Sequence, residues 1–428
     1  MQATLRSVGV GIIGLGTVGG GVVRVIESHR DNYRAQHNID VSIIKACARS
    51  IDEARACGLD DARFCADWHE LIHDPAIDII VELIGGEHPA QDIIEAALAA
   101  GKHVVTANKA LLGKRHELLS EQAHESGVRL CYEAAVGGGI PIICTLEQAL
   151  IANNITRIAG ILNGTTNYIL TRMEREGADF GTVLRDAQAL GYAEANPSAD
   201  VDGFDAASKT ALLASLGFRS RVNSEQVITE GIRSVSSLDF ECAVAWGYTI
   251  KLLGIAERTQ SGITARVQPT LISKQHQLAQ VSEAMNAIYV VGDAVGETMF
   301  YGAGAGSFPT ASAVVGDILS IAAPLSQGEN VRPEPPVVRA VVPVLSSNVH
   351  EGPAYLRVSC GGHASEEKAR VCEVLTASGL VIDDVHICNE HNLALRIAQT
   401  CDSALEAAVA ALKTEPSLTG VLRMWIED

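Results

Sequence analysis

Short apolar runs alternate with amphipathic stretches from Val8 to about Glu133. Val8–Ile13, Val41–Cys47, Ile77–Leu83, His103–Thr106 and Val128–Glu133 read as strands, rich in β-branched residues and bounded by turn residues. Between them Val18–His29, Gln91–Ala100 and Arg115–Ser126 place apolar residues at helical spacing. Strand–helix alternation of this kind predicts a doubly wound parallel sheet. From about Ile140 the segments lengthen. Asn167–Glu176, Thr182–Leu190, Phe204–Leu216 and Cys242–Glu257 read as helices, Arg157–Leu162 and Ile263–Leu271 as strands. A second α/β domain with its own sheet is the expectation.

The last 75 residues restart the pattern. Ala354–Ser359, Glu366–Ser378, Val381–Cys388, Asn392–Gln399, Ser403–Lys413 and Gly420–Ile426 give the order βαββαβ, which is ferredoxin-like. The expected domains are 1–139 for dinucleotide binding, with the Gly-rich turn and helix at 302–325 returning to it, then 140–301 for substrate and association. A Pro-rich connector at 326–352 leads to the unit at 353–428.

Composition narrows the function classes. A chain of 428 residues with 47% hydrophobic and 20% charged residues is ordinary globular material. Its 33 Lys and Arg against 51 Asp and Glu leave a net charge of −18, which disfavours a phosphate backbone as partner, so no nucleic acid is expected. No run of 18 apolar residues escapes charges and glycines, and the ten cysteines form no CxxC pair. No membrane span is expected, and the setting is read as cytoplasmic with free thiols.

Gly14-Leu15-Gly16-Thr17-Val18-Gly19 follows a strand and opens a helix. In a dinucleotide site the first glycine makes the tight turn, the second lets a pyrophosphate approach the backbone, and the third lets helix and strand pack. The N–H groups of Thr17 and Val18 would then face the phosphates. A plain Gly-rich turn is the alternative. The second strand ends at Arg49, which suits a 2′-phosphate and favours NADP(H), while nearby Asp52 and Glu53 keep NAD(H) open.

The densest polar run is 191–209, where Asp205 and Lys209 stand four apart on one helix face. An apolar helix follows, so that face either points inward, where a lysine can donate a proton, or forms an ordinary surface ion pair. Lys109 follows a strand end of the first sheet, where ligands bind in open α/β sheets, or simply starts a helix. The Glu133–Pro141 glycine turn exposes carbonyls suited to a hard cation or serves as a hinge. Asn163–Asn167 holds a carboxylate or caps a helix.

With these pieces in order the chain resembles monofunctional bacterial homoserine dehydrogenases with a C-terminal ACT domain. The resemblance rests on GLGTVGGGV near the start, TANKALL at 106–112, EAAVGGGIPI at 133–142, NGTTNYIL at 163–170, GYAEANPSADVDGFDAASK at 191–209 and YGAGAGSFPTASAVVGDI at 301–318. It implies reversible NAD(P)H-dependent reduction of L-aspartate 4-semialdehyde to L-homoserine, on the route to threonine, methionine and isoleucine. Carried over by motif, Lys209 would donate the proton, Glu194 and Asp205 would hold the substrate's ammonium group, and Asp200 would orient the two lysines. Lys109 would sit by the reacting centre and the nicotinamide, and Gly191, Gly304 and Gly306 would approach the cofactor. A sodium ion would bind at Glu133, Val136, Gly138 and Ile140, and the chain would form a homodimer or homotetramer. ACT domains that bind amino acids usually carry an Asp-x-Pro-Gly-like turn, which Ser359–Glu366 lacks, so threonine as effector and a purely structural role both stand. A related semialdehyde reductase, or a nucleotide-binding amino-acid sensor without turnover, are the competing readings.

Overall fold

The computed structural model describes residues 5–331, 333, 342–345 and 350–428. The expected connector at 326–352 falls largely outside these residues. The chain divides into two compact units: Met1–Ile155, Ala211–Ser224 and Gly292–Val341 form the first, and Thr156–Thr210, Glu225–Val291 and Val342–Asp428 the second.

The first unit holds β1 (Ser7–Ile13), β2 (Asp40–Cys47), β3 (Phe64–Cys65), β4 (Ile79–Glu82), β5 (His103–Thr106) and β6 (Leu130–Cys131). They pair in parallel in the order β3-β2-β1-β4-β5-β6. Sheet growth reverses between β1 and β4, which creates the crevice where dinucleotides bind in this architecture. Every residue of β4 and β5 is buried, as expected for strands covered on both faces. The expected strand to Glu133 is shorter, because Glu133–Ala135 turns into a 3₁₀ helix.

The helix Ser307–Ser326 lies in this unit, against the dinucleotide helix Thr17–Asn32. Its Val314, Val315, Ile318, Ile321 and Leu325 join Val22, Val23 and Ile26 in one core. Each such side chain contributes on the order of 1.5–3 kcal/mol on burial. Close approach requires Gly21, where a Cβ would meet the Ser307 carbonyl oxygen at 2.8 Å. By length and composition this helix is apolar enough to cross a membrane, but its apolar face is core.

The second unit holds β7 (Ile155–Ile161), β8 (Ile228–Thr229), β9 (Tyr248–Arg258), β10 (Ile263–Ser273) and β11 (Met285–Gly292). After β12 (Gly296–Ala303), in the first unit, come β13 (Glu351–Cys360), β14 (Ile382–Asn389), β15 (Asn392–Cys401) and β16 (Leu418–Glu427). The strands of the second unit run β11-β7-β9-β10-β16-β13-β15-β14, with β8 and β16 sharing an edge of β10. The C-terminal βαββαβ packs a core of its own, and its last strand β16 also pairs in parallel with β10, Thr270 opposite Trp425. One expectation is corrected. The stretch Cys242–Glu257 is not one helix: a helix at Ser237–Ala245 ends at Trp246, and β9 pairs with β10 over its full length. Leu252, Leu253, Ile255 and Ala256 are buried in β9, so an apolar run read as helical was a strand buried on both faces.

Four charges close the β10–β16 junction. Arg157 donates to Glu257 at 3.0 Å and to Glu427 at 2.6 Å, and Arg266 donates to the same two carboxylates at 3.0 and 2.9 Å. Burial pushes the Glu427 carboxyl up, but Arg157 and Arg266 more than offset it and hold it below its usual range.

Candidate functional site

The dinucleotide turn is built from three glycines with three different jobs. Gly14 has φ +101, and a Cβ there would meet the Leu83 backbone at 2.9 Å. At Gly19 a Cβ would lie 2.0 Å from the Gly14 carbonyl oxygen. Gly16 is the helix N-cap, without a side-chain cap, and a Cβ there would meet nothing within 4 Å. Two glycines therefore serve packing, and the third leaves an open cradle beside the amino end of the helix, where Thr17 and Val18 begin it. That is the geometry an entering pyrophosphate requires. Ser307 Oγ donates to the Thr17 carbonyl at 2.7 Å, so Gly306 and the chain entering Ser307–Ser326 reach this end of the crevice from within the first unit.

Arg49 follows β2, with a side chain 92% exposed and an ion pair to Glu53 at 3.1 Å. On the opposite side of the switch point a buried network ties β4 to β5. Glu82, fully buried, accepts from the N–H of Ile84 and Gly85 and from Thr106 Oγ1 at 2.7 Å. Thr106 Oγ1 accepts from the Asn108 N–H, and the Asn108 side chain caps the helix Lys109–Glu125 while donating to the Gly86 carbonyl. Lys109 opens that helix and is exposed. The pattern reading missed Glu82, although a glutamate ending an apolar strand run was its visible signal.

Between β6 and the helical turn Thr145–Ala149 lies the expected cation turn. Val136 and Ile140 are buried, and Gly137 and Gly138 have φ +72 and +57. A Cβ on Gly138 would meet the Gly304 backbone at 2.5 Å, so the two glycine turns are in contact. The Glu133 carboxylate accepts from the N–H of Ile143 and of Cys144, both at 2.7 Å, and the Glu133 N–H donates to Asp317. Each Glu133 carboxylate oxygen thus accepts one backbone N–H, and the turn beside it offers main-chain carbonyls, which are hard oxygen donors. Among the described residues no cluster of three His, Cys, Asp or Glu side chains forms a metal site.

The substrate-side cluster lies in the second unit. Lys209 is 6% exposed and Asp205 8%, so the pair is a buried one and not a surface ion pair. Lys209 Nζ donates to the Leu162 carbonyl at 2.7 Å and to Asp205 Oδ2 at 2.8 Å. Asn163, the residue after Leu162, caps the helix Gly164–Glu176 through Oδ1. Its Nδ2 donates to Asp200 at 2.6 Å and to Asp205 at 2.9 Å. One amide thus bridges two carboxylates, of which Asp205 holds the Lys209 ammonium group, a role beyond the cap expected of it. The loop carrying the acidic run is pinned where Thr165 Oγ1 donates to the Tyr192 carbonyl at 2.7 Å and the rings of Tyr168 and Tyr192 meet at 4.7 Å. Glu194 and Gly191 are exposed on that loop; the Glu194 carbonyl accepts from Gln188, and Gly191 takes φ +77 just past the helix Phe180–Ala189. Glu194 is therefore placed apart from the bonds that assemble Asn163, Asp200, Asp205 and Lys209.

Such an assembly can hold a proton at Lys209 Nζ and orient it. Comparison with known proteins identifies the family. Residues 14–133 match the family model described as homoserine dehydrogenase, NAD binding domain, and residues 141–319 the model described as homoserine dehydrogenase. A homoserine dehydrogenase of Synechocystis is 50% identical over 319 residues, 74% of this chain and 73% of that one. One from Pseudomonas aeruginosa is 40% identical over 435 residues, 99% of this chain and 100% of that one. The crystal structure of a homoserine dehydrogenase from Thiobacillus denitrificans superimposes with a TM-score of 0.92 at 39% identity, covering 99% of both chains. None of these matches favours the sensor or another reductase. The chain belongs to the homoserine dehydrogenase family, NAD(P)-dependent oxidoreductases that reduce L-aspartate 4-semialdehyde to L-homoserine.

Proposed function

We propose that Lys209 is the proton donor of this reaction, and the observation that carries the reading is its burial between the Leu162 carbonyl and Asp205. The bound nicotinamide supplies the hydride. As negative charge builds on the carbonyl oxygen, the Lys209 ammonium neutralises it and passes a proton to that atom. Asp205 and the Leu162 carbonyl aim the ammonium, and Asn163 holds Asp205 and Asp200 in place. Asp205 and the exposed Glu194 supply negative charge for the substrate's ammonium group. Lys109, at the carboxyl end of β5, serves the reacting centre and cofactor, and Asp200 orients the lysines.

Gly16, Thr17 and Val18 would face the pyrophosphate, on a turn that Gly14 and Gly19 shape by close packing, with Gly191, Gly304 and Gly306 approaching the cofactor. Arg49 selects NADP(H) over NAD(H) once it leaves Glu53, and its near-complete exposure supports this. The carbonyls of Glu133, Val136, Gly138 and Ile140 would hold sodium, which stiffens the turn and takes no part in the chemistry. The protein works in the cytoplasm as a homodimer or homotetramer. Exposed Val381 and Ile387, beside and on the edge strand β14, support association. In the C-terminal turn the N–H groups of Cys360, Gly361 and Ala364 donate to the carbonyls of His391, Ser417 and Glu390, all at 2.7 Å. Those donors are taken, which favours the structural role for this ACT-like module over threonine binding.

Nicotinamide absorbance tests the reading with L-homoserine and either NADP⁺ or NAD⁺ at alkaline pH. Homoserine-dependent reduction, faster with NADP⁺ and unchanged by millimolar threonine, is expected. Preference for NAD⁺ would remove the role given to Arg49, and inhibition by threonine would remove the structural role given to the C-terminal turn.

A further inference from the structure

The helix Ser237–Ala245 packs against β13 and β14 of the C-terminal sheet, and at the edge of that contact two sulfurs meet. Cys242 Sγ lies 3.1 Å from Cys388 Sγ, across 146 residues of sequence. Cys242 is buried on the helix, whereas Cys388 is partly exposed on the edge strand β14. The approach is held in register by bonds on both sides. Asp239 Oδ1 accepts from Tyr355 OH at 2.7 Å and from Arg357 Nε at 2.8 Å, while its Oδ2 caps its own helix at Ser236. Trp246 Nε1 donates to Asp384 at 2.8 Å one turn further on. A disulfide needs S–S of about 2.05 Å, so closure by about 1 Å completes one, within the adjustment of an edge strand.

We propose that Cys242 and Cys388 are a thiol–disulfide site, oxidised by small disulfides to an intrachain cross-link. The Cys388 sulfur, as thiolate, attacks one sulfur of the small disulfide and releases one equivalent of small thiol. Cys242, losing its proton, then displaces the remaining half from Cys388. Two protein thiols become one disulfide, and one small disulfide becomes two small thiols. The order of events follows the local electrostatics: the hydrogen bond between the sulfurs holds the Cys388 thiol below its ordinary value and Cys242 above. The adjacent pair Cys47 and Cys65, opposite one another in β2 and β3, provides an internal contrast, since burial pushes both thiols up and Cys65 reaches about 12.

The site is also positioned to matter. The segment entering this helix grips the acidic loop, with Arg233 bonded to Asp202 and Ser198, and with the Ile232 N–H donating to the Val201 carbonyl at 2.8 Å. A cross-link at Cys242 would thus staple the C-terminal module to the element that braces Asp200.

The test is peptide mapping of the folded full chain after incubation with oxidised glutathione at neutral pH, quenched by acid and alkylated. A Cys242–Cys388 linked peptide, reversed by dithiothreitol and forming before any Cys47–Cys65 link, is expected. Cys242→Ser should accumulate glutathione on Cys388 and form no link. Persistent glutathione on Cys388 of the unmutated protein, ten recoverable thiols, or a link that forms only after unfolding in urea would each overturn the proposal. The map of the unmutated protein decides the matter even where a variant fails to fold.

Discussion

Lys209→Ala removes an ammonium group that gives hydrogen bonds of 2.7 Å to the Leu162 carbonyl and 2.8 Å to Asp205. Two losses follow, and they can be measured apart. General-acid catalysis by a positioned group contributes about 10²–10⁴ in rate, or roughly 3–5 kcal/mol of barrier. Deleting one partner of a buried ion pair also costs about 3–5 kcal/mol of stability. Here the second loss should sit near the lower end, because Asn163 Nδ2 still donates to Asp205 at 2.9 Å. Against a typical total of about 5–15 kcal/mol, the variant should remain folded at 25 °C. Denaturant unfolding reads the stability term, and nicotinamide absorbance at saturating homoserine reads kcat. A fall in kcat of at least about 10² is expected. A folded variant whose kcat stays within about tenfold of the parent, with only KM raised, would refute a proton-donor role and leave Lys209 as a substrate contact.

Three further outcomes can be checked. Gly16→Val should fold but lose NADPH binding in a fluorescence titration, since its side chain enters open space, whereas Gly19→Val should lower the melting temperature against the Gly14 carbonyl. Arg49→Ala should lower kcat/KM with NADP⁺ by about tenfold, the loss of roughly one charge-assisted phosphate contact, and leave NAD⁺ turnover unchanged. His116, buried against Tyr132 OH at 2.6 Å, is pushed down by burial to about 4, so the unfolded chain binds its proton first. Stability from keeping it neutral is complete above about pH 6.5 and is lost as pH falls toward 4. The midpoint of unfolding should drop across that window, and His116→Gln should flatten the drop.

Much of the first unit was legible from local signals. GLGTVG stands between a strand and a helix in the chain as it does in the fold, and the alternation of short apolar runs led directly to the parallel sheet. The second unit hid what depends on distant partners. The stretch Tyr248–Arg258 carries leucines and alanine that fit a helix, and only pairing with β10 makes it a strand. Asn163 showed its cap in the sequence but not its bridge to Asp200 and Asp205, which the fold brings in from about 40 residues away. The C-terminal unit shows the same limit. Local pattern correctly outlines a βαββαβ unit, but nothing local announces that its last strand joins another sheet.

That last joint bears on how the chain is made. Thr270 and Trp425 are partners separated by 425 − 270 = 155 residues, and Arg266 has its Glu427 across a similar span. During synthesis β10 emerges long before β16, with part of its edge still unsatisfied and a nearly buried arginine short of one carboxylate. Parallel pairing over such a separation is slow, because the intervening loop must close before any bond rewards it. The first unit's parallel sheet, by contrast, has all six strands within residues 7–131, and the helix that completes its core, Ser307–Ser326, also emerges well before β16 at Leu418–Glu427. The vulnerable interval for this protein is therefore late in translation, when an ordered nucleotide-binding sheet is already tethered to an open one, and that interval is where a chaperone or an aggregate would find it.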